Sequence, residues 1–154
     1  MGFPLSYTGV EMYPDGASAR AALAALVADL RARPRVRVHA GPDEATYRAR
    51  PLGRSWSWTA ATDAGAFRLQ PTLSGTTQMR YTVRTRGLFL AGLLAAALAV
   101  ILIPEPLGWR LGYGALGFCV LTGGNYLLAV VGLRIALDRA RRAGERPAVQ
   151  PSAT

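Results

Sequence analysis

The residue types that most often carry out catalysis are scarce in this chain of 154 residues. His39 is the only histidine and Cys119 the only cysteine, so the sequence cannot supply a cysteine–histidine zinc site or an internal disulfide. Asp43 and Glu44 stand together after a proline, which indicates a turn rather than a catalytic pair of carboxylates. No glycine-rich phosphate-binding motif is present. The sequence therefore predicts a protein that is not an enzyme and holds no metal or cofactor.

A pattern of arginines is the stronger signal. All 18 basic residues are arginines, and the formal net charge is +9. Most of the arginines in the first half occupy alternate positions of strand-like segments, which predicts one basic outer face of a sheet. This face could bind anionic lipid, dock an acidic protein or simply be solvated, and nucleic acid is a less favoured partner. The predicted basic face consists of Arg35, Arg37, Arg48, Arg50, Arg54, Arg68, Arg80 and Arg84.

Two polar residues, Thr122 and Asn125, lie in an apolar segment. An amide in hydrocarbon is unfavourable unless it has a partner, so both residues are candidates for a polar contact inside a membrane. A hydrogen bond between the helices of the hairpin or to a backbone carbonyl is the simpler interpretation of Asn125. A contact to another helix, a pigment, a quinone or an ion is the alternative.

The elements that would position these residues fall into an N-terminal and a membrane part. Residues 87–104 and 111–133 are two uncharged stretches, of 18 and 23 residues. A membrane span needs roughly 20 apolar residues, so the pattern predicts two transmembrane helices joined by the turn PEPLGWR. We expect the second helix to continue to residue 142 in the cytoplasm, and residues 143–154 to form a disordered tail.

The flanking residues predict how this hairpin sits in the membrane. Arginines precede the first span and follow the second, whereas the turn has only Arg110. The positive-inside rule then places both termini in the cytoplasm. The expected membrane is a bacterial cytoplasmic (inner) membrane. The predicted interface anchors are Arg86, Trp109, Tyr113, Arg134, Arg139, Arg141 and Arg142.

Small residues at four-residue spacing predict close packing of the hairpin helices, because they let helix backbones approach each other in lipid. The predicted packing residues are Ala91, Ala95, Ala99, Gly108, Gly112, Gly117 and Gly124.

Residues 1–86 predict a small cytoplasmic α+β domain. An amphipathic helix is expected over residues 17–33, with Asp15 as its N-cap and Pro34 at its end. A strand precedes it and several alternating segments follow, among them RVRVHA, ATYRAR, GRSWSWTA, AFRLQ and TTQMRYTVRTR. The fold prediction is therefore a mainly antiparallel sheet with one covering helix, followed by the two-span hairpin.

These features favour a non-catalytic integral membrane subunit or adaptor. Its hairpin would pack against larger membrane proteins, and its basic cytoplasmic domain would dock onto them. The alternatives are a membrane-tethered sensor that binds lipid or another ligand and a homo-oligomeric pore-forming protein; an enzyme is the least favoured class.

Overall fold

The fold is seen in a computed structural model that describes residues 6–50 and 58–145. Five antiparallel strands form one sheet in the order β1-β5-β4-β3-β2. The sheet elements are β1 (Ser6–Tyr13), β2 (Val36–Ala40), β3 (Glu44–Ala49), β4 (Ala64–Pro71) and β5 (Thr77–Arg84). The helices are α1 (Gly16–Arg31), α2 (Arg86–Leu102), α3 (Leu107–Phe118) and α4 (Asn125–Glu145).

Helix α1 begins and ends close to the predicted positions. The Asp15 side chain accepts a hydrogen bond from the Ser18 amide at 2.7 Å, which satisfies one free donor of the first turn. Because Pro34 disfavours helical geometry in the residue before it, the helix ends three residues earlier, at Arg31. Leu23, Leu26 and other apolar residues of one face are buried against the sheet.

The strands alternate between an inner face toward the helices and an outer face toward solvent. In β5, Met79, Tyr81 and Val83 are buried, whereas Arg80 and Arg84 are exposed. This period of two confirms the predicted small antiparallel sheet with a covering helix.

A second helix also covers the inner face. The first half of α4 packs against the Trp58–Ala61 turn at Ala129 and Gly132, and its C-terminal half packs against α1. Leu133 and Leu137 are buried in the same core as the sheet residues. The sequence interpretation assigned this helix to the hairpin and to a cytoplasmic extension, and it missed this packing.

Aromatic side chains fill the space beneath the two helices. Ring centroids 5.6–6.3 Å apart link Tyr7, Tyr81, Phe67, Tyr47 and Trp58 in series across the inner face. Trp58 lies in a short 3₁₀ turn, Trp58–Ala61. The strand predicted over residues 53–60 falls mostly outside the described residues, and its last part belongs to this turn.

Helices α2 and α3 form an antiparallel pair that leaves the domain where β5 ends. The turn between them spans residues 103–106 and contains both prolines of the PEPLGWR motif. A π-helical turn, Cys119–Gly124, joins α3 to α4. The three segments make one helix of 39 residues, Leu107–Glu145.

The prediction of two transmembrane helices is only partly matched. Leu107–Glu145 is long and apolar enough to cross a membrane by length and composition, and among the described residues it alone passes that test. Helix α2 has 17 residues. At 1.5 Å per residue it spans about 26 Å, which is less than a hydrocarbon core of about 30 Å. Two crossings are therefore not established by helix length.

Candidate functional site: an arginine depression on the sheet

The outer face of the sheet gathers most of the predicted basic residues. Arg37, Arg48, Arg68, Arg80 and Arg84 all lie there, because each occupies the solvent phase of its strand. Arg35 comes directly before β2 and Arg50 directly after β3. Arg54 lies outside the described residues.

Three of these arginines share one row across the strands. Arg37 pairs with Arg48 across β2 and β3, Arg48 with Ala64 across β3 and β4, and Ala64 with Arg84 across β4 and β5. The small side chain of Ala64 therefore leaves a gap between two long guanidinium side chains. Neighbouring strands are about 4.8 Å apart, so the Cα atoms of Arg48 and Arg84 are separated by about 10 Å.

The next row completes a concave surface, which we name the arginine depression. Ala66 continues the floor, and Thr46 and Thr82 flank it in register, with His39 beyond Thr46. The depression has a volume of about 650 Å³. Its walls offer guanidinium and hydroxyl donors above a floor of two alanines.

The acids near this face are already paired with groups outside the depression. Glu44 forms an ion pair of 3.1 Å with Arg68 in the row beyond Thr46, and Asp43 forms one of 2.9 Å with Arg20. Among the described residues, no ion pair joins a carboxylate to Arg37, Arg48 or Arg84. Adjacent like charges on one sheet face repel each other, so this row of arginines carries a positive charge that no ion pair with a described carboxylate offsets.

A second, smaller hollow of about 490 Å³ adjoins the first and shares Arg37 and Arg48 with it. Arg35 lies there with φ 65°, a left-handed conformation that is uncommon for a residue with a side chain. Asp63 also lines this hollow, and its carboxylate accepts a hydrogen bond from the Gly87 amide at 2.7 Å. Asp63, the residue before β4, therefore caps the first turn of α2 and ties the basic end of the sheet to the hairpin.

Tyrosine side chains are buried on the inner face of the sheet. Burial raises the pKa of Tyr47 and Tyr81, and it raises that of Tyr13 to about 12, so these side chains stay neutral at physiological pH. The Tyr47 hydroxyl donates a hydrogen bond of 3.0 Å to the buried Thr62. Among the described residues, no group of three His, Cys, Asp or Glu side chains could hold a metal ion.

The predicted polar residues of the apolar segment lie at its π-helical turn. The Asn125 side-chain amide donates to the Leu121 carbonyl at 2.7 Å, four residues earlier on its own helix. Thr122 is buried, and its hydroxyl, which has no hydrogen-bond partner among the described residues, faces Gly92 of α2. The Asn125 amide therefore has a backbone carbonyl as partner, and its predicted polar contact inside a membrane stays a prediction.

The close approach between α2 and α3 occurs at other glycines than the predicted ones. A Cβ atom added to Gly114 would lie 3.1 Å from the Ala96 carbonyl oxygen, and one added to Gly92 would meet the Thr122 hydroxyl. Ala91, Ala95 and Ala99 of α2 are half-buried. A Cβ would meet nothing within 4 Å at the predicted packing glycines of the second helix, Gly108, Gly112, Gly117 and Gly124. These four glycines therefore face away from α2.

The predicted interface anchors occupy both ends of the hairpin. Trp109 and Tyr113 are exposed next to the turn, with ring centroids 6.2 Å apart, and Arg86 is exposed at the start of α2. The remaining anchors lie on the half of α4 that packs on the sheet domain. Those exposed arginines are Arg134, Arg139, Arg141 and Arg142.

Comparison with known proteins adds little to this geometry. Neither the known family models nor the curated proteins include a match to the chain. A solved structure, the di-domain ARO/CYC BexL from the BE-7585A biosynthetic pathway, is similar at a TM-score of 0.39 and 11% identity over 93% of this chain. The chain spans 52% of the length of that protein. A similarity this low carries no argument, so function must be inferred from the geometry.

The alternation of the arginines was visible in the sequence, but the depression was not. Its position depends on strand order, which places Ala64 between Arg48 and Arg84 although these residues are far apart in the chain. The sequence did contain one signal for the depression. Ala64 and Ala66 in AGAFRLQ occupy outward positions of their strand, and the outward positions of the neighbouring strands carry arginine and threonine.

Proposed function

We propose that the protein is a non-catalytic, membrane-anchored subunit. Its hairpin inserts into the bilayer, and its sheet domain docks onto a larger membrane protein at the cytoplasmic surface. One observation carries the proposal: large apolar side chains are exposed along both hairpin helices. They include Leu90, Leu94, Ile101 and Leu102 on α2 and Leu107, Leu116, Val120 and Leu127 on the helix that follows.

Such a surface is costly in water. Ile101 and Leu102 are 70% and 71% exposed, and Leu116 and Val120 are 62% exposed. Apolar surface contributes about 25 cal/mol per Å² when it is removed from water, and contiguous apolar patches beyond a few hundred Å² mark a membrane or protein contact. A lipid environment accounts for both helices at once.

The connectivity supports a paired crossing. Residues 6–50 and 58–84 share one core with α4 from Leu133 onward, so the chain leaves the domain at Arg86 and returns to the same domain. If the long helix that begins at Leu107 crosses a bilayer on its way back to the domain, α2 must cross it in the opposite direction. The 17 residues of α2 reach across if Arg86 snorkels to the interface or the bilayer thins slightly.

The charges support a cytoplasmic domain. The sheet domain carries most of the arginines, whereas the hairpin turn has Glu105 and Arg110. The positive-inside rule assigns the arginine-rich side to the cytoplasm, and Trp109 and Tyr113 then lie at the opposite interface.

The polar groups favour a subunit over a pore. Thr122 faces α2 and Asn125 bonds to its own helix, so neither forms a polar stripe along the outside of the hairpin. The face of α3 that carries Gly108 and Gly112 points away from α2. Because glycine has no side chain, this face lets a helix of another protein approach closely.

The natural cysteine provides a test of insertion. Cys119 is exposed in the middle of the hairpin, so in intact membrane vesicles it should resist a membrane-impermeant maleimide until detergent is added. On a Cys119→Ser background, Glu105→Cys should be labelled from outside intact cells and Ala143→Cys only after lysis. Labelling of Cys119 in intact vesicles would contradict insertion.

Docking onto a partner is tested by crosslinking in cells, extraction in mild detergent and identification of the crosslinked protein by mass. We expect one larger membrane protein at fixed stoichiometry. Gly112→Leu should reduce its recovery, and Leu116→Ile should not. A lone chain would contradict the subunit proposal, and a homo-oligomer that conducts ions would favour the pore.

A further inference from the structure

We propose that the arginine depression binds the phosphate group of an anionic phospholipid in the leaflet beside the sheet domain. The proposal rests on the proposed function, because it requires the domain to be held at the membrane surface. The experiment below measures lipid binding in detergent, and the labelling of Cys119 measures insertion, so each can fail without the other.

The shape of the depression fits a phosphate group. Arg48 and Arg84 flank Ala64 in one cross-strand row, so two guanidinium groups can reach over a shallow floor from opposite sides. Each guanidinium presents paired N–H donors at the spacing of phosphate oxygens. Arg37 extends the donor set behind Arg48.

The second row adds neutral donors. Thr46 and Thr82 stand on either side of Ala66, in register with the arginine row. Their hydroxyl groups can donate to the phosphate oxygens that the guanidinium groups leave free. Guanidinium groups and hydroxyls above a floor of alanines bind a phosphate more selectively than an evenly charged surface would.

The charge balance calls for an anion. Arg37 and Arg48 lie directly opposite each other, which is unfavourable for like charges. Glu44 forms an ion pair with Arg68. Asp63 lines the adjoining hollow beside Arg37 and Arg48 and keeps its charge while it accepts from the Gly87 amide, but among the described residues it forms no ion pair with either arginine. A bound phosphate would offset the repulsion that remains between Arg37 and Arg48.

The position of the depression selects the source of the phosphate. Arg84 is the last residue of β5, and α2 begins at Arg86, so the arginine row lies at the end of the sheet from which the apolar hairpin leaves. Two extended residues span about 7 Å, which places the row at the depth of lipid headgroups when the hairpin is inserted. Tyr47, the one Tyr, Phe or Trp residue of the lining, is buried, so no such ring is open for a nucleic acid base to stack on, and the exposed His39 imidazole lies at the edge of the depression, beyond Thr46.

The test uses the full chain in micelles of a neutral detergent, titrated by calorimetry with short-chain phospholipids. Dihexanoyl phosphatidylglycerol and dihexanoyl phosphatidic acid should bind, and dihexanoyl phosphatidylcholine should bind at least tenfold more weakly. Inorganic phosphate is the competing soluble source, and a glutamate-rich peptide stands for an acidic protein.

Two variants and a matched control locate the site. The double variant Arg48→Gln/Arg84→Gln should weaken anionic lipid binding at least tenfold. Ala64→Leu should do the same while all charges remain, because it fills the floor. The control Arg80→Gln/Arg139→Gln removes two exposed arginines outside the depression and should change affinity less than twofold. Circular dichroism and thermal unfolding establish that each variant is folded.

Four results would overturn the proposal. Equal weakening by the control, or no effect of Ala64→Leu, would mean unspecific attraction by net charge. Inorganic phosphate that binds as tightly as the anionic lipids would identify a soluble ligand. Binding of the acidic peptide but not of the lipids, lost in Arg48→Gln/Arg84→Gln, would make the depression a protein-docking surface.

Discussion

Two glycines on the inner face of the sheet lie opposite tyrosines, and the rings cover them. Gly65 pairs with Tyr47 across β3 and β4, and Gly9 pairs with Tyr81 across β1 and β5. A Cβ at either glycine would meet the tyrosine ring. The missing side chains therefore make room for the aromatic series that fills the core, and this role of glycine was invisible without the strand register.

Gly65→Ala should destabilise the protein, because the added methyl group displaces the buried Tyr47 ring and its hydrogen bond to Thr62. Overpacking of this kind costs about 1–3 kcal/mol. Chemical unfolding in detergent measures the change. Gly41→Ala is the control, since its added Cβ would lie 3.7 Å from the nearest atom, in ordinary contact. Equal stability of the two variants would show that the core relaxes around the extra atom.

Asp15 gives the stability a pH dependence of known sign. Hydrogen bonds from Ser18, chiefly from its backbone amide, lower the pKa of the Asp15 carboxyl below its ordinary value. The contribution is complete above the unfolded-state pKa, near 4, and is lost as pH falls through the lowered folded-state pKa.

Asp15→Asn keeps an N-cap side chain but cannot titrate. Between pH 6 and pH 3 we therefore expect the unfolding midpoint of the wild type to fall further than that of the variant. Asp138→Asn removes an exposed acid of α4 and serves as the control. Parallel pH profiles for the wild type and Asp15→Asn would contradict the assigned role of the cap.

At the scale of elements, local patterns predicted much and long-range packing little. The alternation in TTQMRYTVRTR specified β5. Asp15 and Pro34 specified the two ends of α1. Both signals are contained within a few residues of the chain. Which glycines of α3 contact α2 depends on the rotation of α3 about its own axis. Four-residue spacing cannot determine that rotation, since several faces of this helix carry small residues.

Gly114→Ala should loosen the hairpin, and Gly112→Ala should not. The first would press a methyl group against the Ala96 carbonyl oxygen and the Val100 side chain, whereas the second meets nothing within 4 Å. A single cysteine on each helix, with Cys119 replaced by serine, would report the change as a lower rate of crosslinking between α2 and α3. A similar loss in both variants would mean that Gly112 also packs against α2, as the sequence predicted.

At the scale of the whole molecule, residues 1–86 should not fold alone. The sequence predicted them to be a separate domain, but Leu133, Ala136, Leu137 and Ala140 of α4 belong to its core. Without α4, the aromatic series on the inner face loses one of the two helices that cover it. The isolated segment should therefore show no cooperative unfolding transition.

The same segment joined to residues 126–145 by about 12 glycine and serine residues should regain that transition, because such a linker reaches about 20 Å. Leu133→Asp and Leu137→Asp together in the linked chain should abolish it again. Cooperative unfolding of residues 1–86 by themselves would contradict the shared core.

The position of α4 also orders events during synthesis. The strands and α1 leave the ribosome first, the apolar hairpin next, and the helix that completes the core last. The domain therefore acquires its final stability only once the hairpin has been made and α4 has come back to the sheet. Until α4 has packed on the sheet, the aromatic residues of the inner face stay open on the nascent chain, and chaperones and proteases bind such surfaces. If the hairpin inserts into a bilayer as proposed, its insertion and the folding of the domain are coupled by the order of the chain.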